Sequence, residues 1–243
     1  MSLDAKQVTG ASSDDQGSGI NLWLRLSDEV ALYILRQLPQ ESLKTVSLVN
    51  KKFRDLSRDD SLWTELTLDY EDIKHNAETC RKLVKRCKKL VSLKISAKSK
   101  NCWDPLNVSL CLKIMTVVIR AQESLRSLEV DKNMRMRSPA VMAKLGRLKN
   151  LTSLNFTVVI IRLLNEGTKM LKELAKLKEL EELNLRIMGD SNNRSIPVLE
   201  SVIKNLNKLK KVEISLPHMS QVTKDLLVKR WRVDYPNLHI RIK

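Results

Sequence analysis

The sequence predicts an α/β chain: three short helices, then a solenoid of strand–helix units with parallel strands on the concave side and helices on the convex side. Three observations predict it. Apolar residues make up 42% of the 243 residues, yet Phe, Trp and Tyr reach only 4%, so the core is aliphatic and rich in Leu. A short L-x-x-L-x-L pattern recurs along most of the chain. The charge also changes sign near residue 70. Residues 1–70 carry eight Lys/Arg against eleven Asp/Glu, a net of −3, and residues 71–243 carry 36 against 17, a net of +19. Two functional parts follow, and the second raises the question of nucleic acid or an acidic partner.

Residues 1–19 are polar, with three Gly and a Ser-Ser-Asp-Asp run, and read as a disordered tail that cannot bury enough apolar surface to order itself. The first helix starts at Ser27, a capping residue followed by Asp28 and Glu29 in the first turn, and runs to about Leu38 before Pro39. The second covers Gln40 to Ser47. The third starts at the capping residue Asn50 and runs to Ser57, with an Asp59-Asp60-Ser61 turn after it. On the first helix Val30, Ile34 and Leu38 form a stripe that Ala31 and Leu35 widen, with Leu32 on the other side. Leu43, Val46, Leu48, Val49, Phe53, Leu56, Leu62 and Trp63 add more. That is more apolar surface than three short helices can bury among themselves, and a surplus apolar face implies a partner.

From Leu66 onward the repeated pattern takes over. Its copies are Leu90-Leu93-Ile95, Leu125-Leu128-Val130, Leu151-Leu154-Phe156, Leu180-Leu183-Leu185 and Leu209-Val212-Ile214, with partial copies at Leu66-x-Leu68 and Leu238-x-Ile240. Aligning Leu66, Leu93, Leu128, Leu154, Leu183, Val212 and Leu238 gives steps of 27, 35, 26, 29, 29 and 26 residues, the long step carrying an insertion around Asn101 to Pro105. Such periods are those of leucine-rich repeats. Helices are expected near Asp72–Arg86, Val108–Gln122, Pro139–Leu145, Thr168–Leu177, Pro197–Leu206 and Ser220–Val233; Pro139 and Pro197 stand where a missing N–H costs nothing.

The stretch LRLSDEVALYILRQLPQESLKTVSLVNKKFRDLSRDDSLWTEL, residues 24–66, resembles an F-box, through Leu26, Glu29, Ile34, Leu35, Leu38, Leu43, Val49, Lys52, Phe53, Leu62 and Trp63 in order. Ser27 stands where that family usually has Pro, and Asn50 and Phe53 stand where Cys and Trp are common. The later units resemble, in divergent form, the leucine-rich repeats of F-box proteins. The resemblance divides the chain into a tail (1–19), an F-box (20–66) and an arc of about six to seven divergent repeats (64–243). It implies a substrate-recognition subunit of an SCF-type cullin–RING ubiquitin ligase. Such a subunit docks a SKP-family adaptor and, through it, cullin and RING subunits. The adaptor-binding residues it implies are Leu26, Ser27, Glu29, Val30, Ile34, Leu35, Leu38, Leu43, Val46, Val49 and Phe53.

Alternate strand residues point to the concave face. They are Glu65, Thr67, Asp69; Ser92, Lys94, Ser96; Ser127, Glu129, Asp131; Ser153, Asn155, Thr157; Glu182, Asn184, Arg186; Lys211, Glu213, Ser215; and Asn237, His239, Arg241. Six acids and four bases leave this strip at −2, so the positive charge lies on helices and loops, most densely at Lys82, Lys85, Arg86, Lys88 and Lys89. A nucleic-acid groove would be lined with Lys and Arg. This strip is mixed and polar, which suits a protein ligand. Seven strands at about 4.8 Å spacing make it roughly 30 Å wide. The expected substrate contacts are Lys94, Glu129, Asp131, Asn155, Asn184, Arg186, Lys211, Glu213 and Arg241. Taken singly, each reads as a solvated strand position, and the 82–89 cluster reads as a solvated helix face. Trp63 reads as core at the module junction and Trp103 as packed within the insertion.

No enzyme signature is present: there is no P-loop, no G-x-S-x-G, and only six Gly. Four Cys without C-x-x-C spacing and three distant His exclude a zinc site, and no cofactor is expected; Cys80 and Cys87 read as core, i and i+7 on one helix. The N-terminus lacks a signal architecture and no apolar run spans a bilayer, so the expectation is a soluble cytoplasmic or nuclear protein without membrane contact, the alternative function being a basic scaffold that binds nucleic acid or acidic proteins through the convex face.

Overall fold

A computed structural model describes residues 25–97, 108–121, 123–132, 135–136, 138–159, 164–189 and 195–243. The expected tail, the insertion around Asn101 to Pro105 and Trp103 lie outside them. No helix among the described residues is long and apolar enough to cross a membrane.

The three N-terminal helices are α1 (Asp28–Leu35), α2 (Gln40–Val46) and α3 (Lys51–Leu56). Ser27 and Asn50 cap α1 and α3, their side chains accepting from the Val30 and Phe53 amides. The first helix is shorter than its sequence pattern: it ends at Leu35, and Leu38 follows in a turn, its amide bonded to the Leu35 carbonyl. A 3-10 turn, Asp60–Leu62, is capped by Asp59. Lys52 ties α3 to the start of α1, donating to the Leu26 carbonyl and pairing with Asp28 at 3.3 Å.

Strands and helices then alternate. They are β1 (Glu65–Asp69), α4 (Tyr70–Arg86), β2 (Ser92–Ser96), α5 (Val108–Val118), β3 (Ser127–Val130), β4 (Arg135–Met136), α6 (Pro139–Leu145), β5 (Ser153–Val159), α7 (Leu164–Leu174), β6 (Glu182–Met188), α8 (Ser195–Asn205), β7 (Lys211–Ser215), α9 (Gln221–Asp234) and β8 (His239–Ile242). α4 is interrupted at Asn76, whose φ of −129° and ψ of 40° are not helical. Seven strands form a parallel sheet in chain order, β1-β2-β3-β5-β6-β7-β8, and the two-residue β4 pairs with the far end of β5. Parallel neighbours need a crossover, and each helix supplies one. The helices pack on one another in the same order, α4 through α8.

The register lines up the repeated apolar position: Leu66, Leu93, Leu128, Leu154, Leu183 and Val212 are successive partners. Their side chains, with Leu68, Ile95, Val130, Phe156, Leu185 and Ile214, form one buried face under the helices. The last copy differs from its alignment. Val212 pairs with Ile240, not Leu238, so the final step is 28 residues. Leu238 instead closes a turn, its amide bonded to the Tyr235 carbonyl. Because strand side chains alternate with a period of two, the shift keeps the face but moves the row. His239 and Arg241 stay on the open face opposite Lys211 and Glu213, while Asn237 falls before the strand and Lys243 takes the row beyond it.

One core runs from Ala31 in α1 to Ile240 in β8. Trp63 sits at the junction, buried, with its indole N–H donating to the Ser57 carbonyl at 2.7 Å and the Arg86 guanidinium over its ring at 5.9 Å. Gln40 treats edge strand β1 as a neighbouring strand would: its amide donates to the Thr67 carbonyl at 3.2 Å and its oxygen accepts from the Thr67 amide at 2.8 Å. That satisfies part of an edge otherwise open to another chain.

Candidate functional site

Two surfaces carry the side chains singled out by the sequence. The first lies on the N-terminal helices. α1 turns Ala31 and Leu35 inward, which rotates Val30, Tyr33 and Ile34 outward; Val30 is 46% exposed and Tyr33 65%. At the end of α2 the chain turns, and Leu48 and Val49 stand out at 77% and 65%. Ile34, Leu26, Leu38 and Val46 are half-buried, the last three packed against the core edge. Ser27 and Glu29 are exposed at the rim. The Glu29 carboxyl is held below the usual carboxylate range by its own backbone N–H and then by the Ser27 hydroxyl. It is a rim acceptor charged across the neutral range.

Three of the eleven expected docking residues are elsewhere. Leu35, Leu43 and Phe53 are buried in the core. They support the surface from beneath and cannot touch a partner without unfolding the helices. Sequence reasoning did not assign Tyr33 or Leu48 to this surface. Tyr33 was legible as the i+3 neighbour of Val30, but the exposure of Leu48 depends on where α2 stops.

The second surface is the open face of the sheet, opposite the helices. The register places six of the nine expected contact residues in one row: Lys94, Glu129, Asn155, Asn184, Glu213 and Arg241. Lys211 stands one row earlier beside Glu182, and Arg186 one row later beside Thr157 and Ser215. Asp131 lies just past the end of β3, outside the paired rows. A hollow of about 180 Å³ lies over the middle strands, lined by Ser127, Glu129, Ser153, Asn155, Glu182, Asn184, Lys211 and Glu213 among others.

Charge along the row is largely self-compensated. Lys94 pairs with Glu129 at 2.9 Å, and Glu213 pairs with Lys243. Between those pairs Asn155 and Asn184 are cross-strand partners, two half-buried carboxamides side by side. Each offers two donors and an acceptor, so the middle of the row reads hydrogen-bonding groups and its ends read charge. Arg186 is half-buried, and its Nε has no hydrogen-bond partner among the described residues. Thr157, expected on this face, is instead buried: β4 runs beside it, and its hydroxyl donates to the Lys132 carbonyl at 3.2 Å. The strip is thus interrupted above the third and fourth full-length strands.

Residues 23–69 match the F-box-like family, a span that takes in α1, α2, α3, the 3-10 turn and β1. These residues are an F-box-like domain, which supports an F-box protein and suggests an adaptor role in ubiquitin ligase complexes. F-box domains typically bind SKP-family adaptors. No curated protein matches the chain.

Proposed function

We propose that this chain is the non-catalytic substrate-recognition subunit of an SCF-type ubiquitin ligase. The F-box-like domain docks a SKP-family adaptor, which carries cullin and RING subunits. The strand–helix array behind it is a leucine-rich-repeat arc whose open face holds a target protein. The observation that carries the reading is the apolar set Val30, Tyr33, Leu48 and Val49, left in solvent on an F-box-like domain. Several large apolar side chains exposed on one small domain are the usual mark of a docking site.

The role is positional. Trp63, Gln40 and the shared core join the docking domain to the sheet, so a protein held on the open face keeps a set distance from whatever the adaptor carries. Holding a lysine of that protein near a ubiquitin thioester raises its effective concentration, and this is the whole contribution to rate. The mixed row from Lys94 to Arg241 suits a polypeptide read by hydrogen bonds in the middle and charge at the ends.

The test is co-purification of the adaptor with the full chain and with Val30→Asp and Ile34→Asp. Loss of the adaptor from both variants is expected; retention at wild-type level overturns the docking assignment. The charge of the second half favours a second reading, a basic scaffold for nucleic acid or acidic proteins on the helix side. A salt series with duplex and single-stranded nucleic acid separates the two, since phosphate-driven binding falls steeply with salt.

A further inference from the structure

The 82–89 basic cluster looks solvated in the sequence, but the fold brings its Arg86 beside cations from another part of the chain. A groove of about 300 Å³ opens where α2 and α3 meet α4. Lys44 from α2, Arg54 from α3, Arg58 just beyond it and Arg86 from α4 line it, and among the described residues no carboxylate does. Its floor and rim are apolar, with Trp63 buried beneath Arg86 and Leu48 standing in solvent.

The cations are only lightly engaged. Arg58 meets Asp55 at 3.8 Å in a pair exposed on both sides, the kind that contributes little. Arg54 donates one long hydrogen bond, 3.4 Å, to the Ser47 carbonyl, and Arg86 rests on the Trp63 ring. Lys82 and Lys85 stand on α4 and Lys89 in the turn after it, and they add to the positive potential around Arg86.

We propose that this groove is a binding site for a short acidic peptide segment carrying an aliphatic side chain. Four converging cations, with only the exposed Asp55 beside Arg58, call for several carboxylates, and the Leu48–Trp63 surface calls for an apolar residue between them. Single-stranded nucleic acid fits less well. It binds by stacking bases on exposed aromatic faces, and the groove's one aromatic ring is buried and capped by Arg86. The site uses neither the open face of the sheet nor Val30, Tyr33, Ile34 or Val49, and it meets the docking surface only at Leu48.

The experiment is fluorescence anisotropy with the full chain and a labelled peptide holding one leucine between runs of glutamate. Lys44→Glu with Arg54→Glu should weaken binding by about tenfold or more, since each exposed ion pair is worth a few-fold. Neither substitution touches the Trp63 stack, so folding is not at stake; Arg86→Glu is the third variant. Lys229→Glu on the distant α9 should leave affinity within about twofold, and a probe with serine for leucine should bind several-fold more weakly. Equal binding by the double variant overturns the proposal. So does equal binding by the serine probe, or by an oligonucleotide of the same charge, either of which would reduce the groove to a general anion-attracting surface.

Discussion

Replacing Val30 and Val49 together by Asp puts two charges on the surface that the F-box-like helices leave uncovered. Burying a whole Val side chain is worth about 1.5–3 kcal/mol. Val30 keeps 46% of its surface in solvent and Val49 keeps 65%, so closing both under a partner recovers about 2–3 kcal/mol from apolar area alone. Losing that weakens binding about 30- to 150-fold, at 1.4 kcal/mol per tenfold, and desolvating two carboxylates adds to the loss. The assay is calorimetric titration of a purified SKP-family adaptor into the full chain. A thermal melt of each variant accompanies it, because substitutions at exposed positions change folding stability by only about 0.5 kcal/mol. A change in affinity below about threefold, with an unchanged melt, would refute the reasoning. The partner would then sit elsewhere on the chain.

Leu183→Ala, at the centre of the sheet and 1% exposed, should cost about 2–5 kcal/mol in urea unfolding, where Leu48→Ala should cost almost nothing. Burial pushes the Cys87 thiol up to about 11, and it raises Cys80 as well. Both should resist alkylation at pH 8 while half-buried Cys111 reacts first, as thiol mass labelling with and without denaturant would read out. Because the raised value favours the folded chain's neutral thiol, the stability Cys87 adds is complete below about pH 9 and is lost as pH climbs through about 11; a pH series of unfolding midpoints checks the sign. Asn184→Lys with Glu213→Lys changes the middle and one end of the open-face row without touching the core. It should deplete most proteins captured by wild type under proteasome inhibition, while adaptor co-purification stays the same.

Elements and core were legible because they obey short-range rules. Ser27 and Asn50 announce helix starts through side-chain caps, and the L-x-x-L-x-L copies put an apolar residue at each register position from Leu66 to Val212. Trp63 at the junction was legible as core, and its buried indole bears that out. Docking residues were harder to read. Leu35 stands beside Val30 and Ile34 on α1, and Leu43 and Phe53 belong to similar apolar sets on α2 and α3; nothing local says which apolar face of each helix turns inward.

The sequence by itself determined the alternation of the seven longer strands with helices, the parallel sheet and which face each of those strands turns inward, since periodicity and capping act over a few residues; the two-residue β4 was not legible. Only the tertiary structure decided which apolar face of α1 stays in solvent, that Ile240 and not Leu238 completes the sheet, and that β4 buries Thr157. It alone brought Lys44 and Arg54 next to Arg86, more than thirty residues away along the chain. The physical reason is the same in each case. Spacing specifies a face relative to its own helix or strand, but packing against distant segments sets which face is covered, which row is paired and which charges meet.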